Sequence, residues 1–109
     1  MLDKLKALWA YSPERCGLIL KTGEIVELPN RHPQPWDFFA IAQEDLDRYR
    51  LNIDATWHTH PKGTANLSVE DYLLFRDKLP AWFHYIISRD EVRCYYVRDN
   101  LVYSHENCF

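Results

Sequence analysis

His58-Thr59-His60-Pro61, followed by Ser68 and Asp71, gathers the residue types from which a metal centre is built. Two imidazoles one residue apart, with a carboxylate eleven positions beyond the second, are three ligands of the kind zinc favours. A catalytic zinc keeps three protein ligands and leaves a fourth position to water. Residues 53–57 read as a strand, and strand side chains alternate between faces. His58 and His60 therefore project to one side, roughly 6.5–7 Å apart at Cα. Asp71 has to be returned to them by the chain, and residues 62–66 have the composition of a turn.

The elements around this cluster follow from periodicity. Leu2, Leu5, Leu8 and Trp9 recur at helical spacing, which predicts a short amphipathic helix packed on the core. Residues 16–20 and 24–28 read as a hairpin about Thr22-Gly23. A proline-rich loop follows over 29–35, then a strand is expected over 37–42 and a polar helix over 43–50. The clearest helix is 68–79, with Ser68 at its N-cap, Asp71 three residues in, and Pro80 ending it. Three strands are expected over 82–88, 92–97 and 101–104. The fold class is thus α/β (α+β), a mixed-sheet sandwich of about six strands with two or three helices, in one domain spanning 1–109.

Composition narrows the function classes. Four Trp, seven Tyr and five Phe supply a core without disulfides, and the net charge of −3 is spread along the chain. Neither a basic footprint for nucleic acid nor a membrane span or signal segment is expected. Cys16, Cys94 and Cys108 are odd in number and lack Cys-x-x-Cys spacing, so reduced thiols and a cytoplasmic setting are expected, with Cys108 a plain terminal thiol. Other zinc chemistries lack their residues. A nucleobase deaminase needs His-x-Glu with Pro-Cys-x-x-Cys, and a zincin needs His-Glu-x-x-His. His84, in a strand among aromatics, reads as a packed histidine rather than a ligand.

In the order Glu14, His58-x-His60, seven residues beginning with Pro61, Ser68-x-x-Asp71, the chain resembles the JAMM motif of the MPN/JAB metalloprotease family. Glu14 lies in Pro13-Glu14-Arg15-Cys16-Gly17-Leu18, which looks like the family's glutamate segment ahead of a buried strand. The single-domain length looks like the prokaryotic branch. The segments over 38–49, and Pro80-Ala81-Trp82 before the next strand, are similar to the JAB half of the bacteriophage tail assembly protein K group. There the domain is often joined to a cysteine peptidase, which is not expected within these 109 residues.

The resemblance implies an MPN/JAB domain of cytidine-deaminase-like fold and a Zn²⁺ held by His58, His60 and Asp71. It implies Glu14 as the general base and Ser68 as the donor to the oxyanion. The implied reaction is hydrolysis of a peptide or isopeptide amide without a covalent intermediate. The implied partner is a protein or peptide with an extended tail, in phage tail assembly or in processing of a ubiquitin-like or sulfur-carrier protein, and a homodimer is a further expectation. Trp36 is a candidate for lining the groove. The resemblance also admits a different class, an MPN-fold scaffold or assembly module without turnover.

Overall fold

A computed structural model describes residues 1–105. These form α1 (Leu2–Lys6), β1 (Cys16–Leu20), β2 (Ile25–Leu28), α2 (Gln43–Tyr49), a 3-10 turn (Arg50–Asn52), β3 (Ile53–Thr59), α3 (Val69–Asp77), β4 (Phe83–Ile87), β5 (Val92–Arg98) and β6 (Leu101–His105). The strands make one sheet in the order β2-β1-β3-β4-β5-β6. Only β3 and β4 run parallel, and their connection carries α3 across the sheet, as a parallel pair requires. The expected mixed α+β architecture, six strands with three helices, is what the chain adopts.

Both faces of the sheet are covered. On one face Ile19, Ala55, Trp57, Tyr85 and Ile87 pack with Leu5 of α1, and with Leu8 and Trp9 just beyond it. On the other, Leu18, Leu20 and Ile53 meet Leu46 of α2 and Leu79, while Cys16 and Ile86 meet Phe75 of α3. β3 is central, with six of its seven residues buried, so its side chains are held by neighbours on both sides. Gly17 is required where it stands. A Cβ there would meet Val26 O at 1.9 Å and the Trp57 indole at 2.8 Å, and that indole donates to Val26 O at 3.2 Å.

One expected strand is not formed. Residues 37–42 carry no ladder, although their apolar alternation suits one. The segment starts from a turn in which Asp37 and Phe38 N–H groups bond Gln34 O. Asn30 then takes over the role of a neighbouring strand. Its Oδ1 accepts from the Ala40 and His32 N–H groups, and its Nδ2 donates to Phe38 O and Glu14 O at 2.9–3.1 Å. One amide side chain thus satisfies backbone groups that would otherwise need a strand. The result is a half-exposed loop that presents Phe39 inward.

Cys16 is a buried free thiol, whereas Cys94 is disulfide-bonded, a departure from the expectation of reduced thiols. A lone mid-strand position in β5 gives no spacing signal from which pairing is readable. Cys108 lies outside the described residues. No helix among them is long and apolar enough to cross a membrane.

Candidate metal centre

The antiparallel register of β1 and β3 sets Cys16 opposite His58. Two residues earlier on β1's side and two later on β3's, Glu14 and His60 come opposite each other on the same face. The join is tied by reciprocal bonds, Arg15 N–H to Thr59 Oγ1 and Thr59 N–H to Arg15 O, both 2.9 Å. The backbone of Glu14 is fixed further by its N–H to Pro35 O at 2.7 Å. The parallel crossover then brings the N-terminus of α3 to the carboxyl end of β3, where Asp71 meets the histidines.

Three ligand atoms converge. His58 Nε2 lies 3.1 Å from His60 Nε2 and 3.1 Å from Asp71 Oδ2, and His60 Nε2 lies 3.0 Å from the same oxygen. Tetrahedral zinc holding such ligands at 2.0–2.2 Å spaces them roughly 3.3–3.6 Å apart, slightly wider than these contacts. His60 Nδ1 sits 2.8 Å from Thr64 O and donates to it, which leaves Nε2 as a lone pair. Acceptors packed this closely repel unless a proton or a cation stands among them, so the donor set fits a divalent metal. Glu14 joins His58 and His60 in a group whose ligand atoms lie within 4.8 Å of one another. Asp71 is nearer to both imidazoles, so the geometry favours it as third ligand, with Glu14 outside the triangle.

Electrostatics separate the two carboxylates. Burial alone would push the Asp71 carboxyl up, but the charge and hydrogen bonds of His58 and His60 outweigh it and hold the group well below the usual carboxylate range. Glu14 has no such compensation. Desolvation dominates there, and with Asp71 and Asp37 nearby its pKa rises from 4.5 to about 8, despite the opposing pull of His60. The fully buried His58 is pushed down by desolvation, against Asp71. His60 is also desolvated, but its bonds to Asp71 and Thr64 raise it. One carboxylate is held ionised between the imidazoles while the other holds its proton to higher pH.

Ser68 is the N-cap of α3, and its Oγ accepts from Asp71 N–H at 3.0 Å. That bond uses an oxygen lone pair and leaves the O–H proton free to donate. Asp71 does not complete a reciprocal capping box, because its carboxylate is turned to the imidazoles instead. Ser68 lines a pocket of about 160 Å³ with Glu14, Trp36, Asp37, His60 and Lys62. Trp36 therefore does stand at the site, with Lys62 Nζ 5.8 Å from its ring centroid. His84 does not approach the triangle. Its Nε2 donates to Leu79 O at 2.8 Å, its Nδ1 accepts from Thr56 Oγ1 at 2.6 Å, and its ring stacks on Phe75.

The family description of prokaryotic homologues of the JAB domain matches residues 5–98. The chain belongs to that family. Solved structures agree with this JAB-domain fold. A protein from Desulfitobacterium hafniense superposes with TM-score 0.67 at 22% identity, over 86% of this chain and 76% of that one. A protein from Salinibacter ruber does so with TM-score 0.59 at 15% identity, over 96% and 84%. No curated protein matches the sequence significantly.

Within the JAB site, sequence reasoning missed three supports. Trp9 donates its indole N–H to His60 O at 3.0 Å, although its spacing reads only as part of a helical stripe. Phe39 stacks on His58 with ring centroids 4.2 Å apart, but it sits in a segment whose alternation suggests a strand. Thr64 orients His60 through a backbone carbonyl, which leaves no mark in side-chain chemistry.

Proposed function

We propose that this JAB-domain protein is a zinc-dependent peptidase or isopeptidase, in which His58, His60 and Asp71 would hold the metal. The observation that carries the reading is the triangle of three acceptor atoms at 3.0–3.1 Å with the Glu14 carboxylate beside it. Zinc so bound would supply an acidified water and polarise the scissile carbonyl.

The remaining work falls to the chain's own groups. Glu14, enclosed and with its pKa raised to about 8, accepts the proton of the attacking water and delivers it to the leaving amine nitrogen. Ser68 donates its O–H to the oxygen on which negative charge develops, while its lone pair keeps Asp71 N–H capped. Thr64 O holds the His60 ring by its Nδ1–H, so that the other nitrogen keeps its lone pair outward.

The substrate class that suits this site is an extended polypeptide tail. The sheet order leaves β2 and β6 as edge strands, and the end of β2 pairs with the start of β1 beside Glu14. An extended tail adding to that edge would run alongside the end of the sheet where Glu14 and the triangle lie. A tail of a ubiquitin-like or sulfur-carrier protein and a phage tail component both have that form. The test is cleavage of a peptide-tailed fusion by zinc-loaded protein and by Glu14→Gln. The reading predicts cleavage by the first and a loss of about 10²–10⁴-fold in the second; equal rates from both would overturn it.

A further inference from the structure

A separate hollow lies away from the ligand triangle. It is a pocket of about 330 Å³ on the face of the sheet covered by α2 and α3, walled by Phe39, Leu46, Leu74, Leu79 and Trp82. That volume lies within the range of natural ligand sites, which combine apolar walls with a few polar groups. The polar groups here are Gln43, Arg50 and Lys78, and no carboxylate is among the lining residues. Asp47 holds Arg50 at 2.6 Å and Gln43 at 3.0 Å, which offsets part of the guanidinium charge and leaves Lys78 as the main source of positive potential. The mouth is therefore apolar inside and cationic at the rim.

Two walls extend beyond it. Phe39 and Leu74 also line a smaller recess of about 110 Å³ that reaches Asp71.

We propose that this pocket binds a large apolar side chain of a partner polypeptide flanked by acidic residues, with the apolar group among Leu46, Leu74 and Trp82 and a carboxylate facing Lys78. The inference goes beyond hydrolysis and does not depend on it, since binding is measurable without turnover or metal. It is distinct from the edge strand offered to the scissile tail, and would hold the partner at a second point.

The probe is an N-acetylated, C-amidated hexapeptide, Gly-Asp-Leu-Phe-Asp-Gly, titrated into ¹⁵N-labelled full-length protein. Saturable shifts are expected at the amides of Leu46, Leu74 and Leu79 and at the Trp82 indole. Replacing both acids of the peptide by lysine should weaken binding about tenfold, and Lys78→Glu should remove that preference. Lys78 is exposed at the C-cap of α3, so the variant retains the fold. No saturable shift, equal binding of acidic and basic peptides, or an equal affinity for free octanoate would each overturn the proposal, the last by making this a site for small amphiphilic carboxylates.

Discussion

The Phe39 ring lies against the His58 ring at a centroid distance of 4.2 Å and an interplanar angle of 22°. A metal-bound histidine is ordinarily oriented by a hydrogen bond from its second nitrogen. His58 Nδ1 is buried and has no hydrogen-bond partner among the described residues. Stacking by Phe39 on one side and the edge of Phe75 on another, at 6.1 Å, takes over that orientation. Phe39→Ala is then expected to weaken zinc binding by about tenfold, the lower end of losses seen when outer supports are removed. Chelator competition measures it. Phe39→Leu, which refills part of the volume without a stacking surface, should recover stability but not affinity.

Ser68 caps α3 and, in the proposed reading, also donates to the oxyanion, two roles that substitution can separate. Ser68→Ala should lose about 0.5–2 kcal/mol of stability as a cap and about 10²–10³ in turnover as a donor. Ser68→Gly costs only a few tenths of a kcal/mol as a cap, yet should lose as much turnover as alanine. Ser68→Thr should retain both. Urea denaturation and cleavage rates read the two effects independently.

The chemistry was more legible in the sequence than its supports were. His58 and His60 converge because strand alternation is a local property, and Ser68 caps α3 because capping is decided within four residues. The parallel pairing of β3 with β4 leaves no such mark, and neither does the amide of Asn30 replacing a strand partner for residues 38–40. Phe39 shows the limit most clearly. Its segment has the alternation of a strand, but a polar side chain from eight or more residues away satisfies the backbone, and the ring is released to stack on His58.

Acid should destabilise the protein through His84. Burial holds this imidazole neutral, with a pKa of about 3 against 6.5 for the free side chain, although its bond to Leu79 O works the other way. Below pH 6.5 the unfolded chain takes up a proton that the folded one refuses, so stability is complete above that pH and falls as pH drops towards 3. At pH 4.5 the loss from this group is about 2–3 kcal/mol. Denaturation midpoints of wild type and His84→Gln should converge between pH 7 and pH 4.5. Parallel curves would refute the assignment.

Glu14 predicts the opposite slope in metal-free protein. Its carboxyl is raised to about 8 in the folded state by desolvation, so the folded chain retains a proton that the unfolded one releases above about pH 4.5. Its contribution to stability therefore declines as pH rises from there to 8. Glu14→Gln keeps the shape without the charge, and should be the more stable protein at pH 8 by roughly 1–3 kcal/mol. In the proposed reading, this loss of stability is the expected cost of a buried base.

The assignment of Asp71 as ligand and Glu14 as base is the centre of this account, and metal stoichiometry tests it most directly. Wild type, Glu14→Gln and Asp71→Asn, each loaded with zinc, desalted and assayed for bound metal, should give one zinc per chain in the first two and none in the third. Zinc kept by Asp71→Asn but lost by Glu14→Gln would place Glu14 on the metal instead, and zinc absent from all three would contradict the metal centre itself.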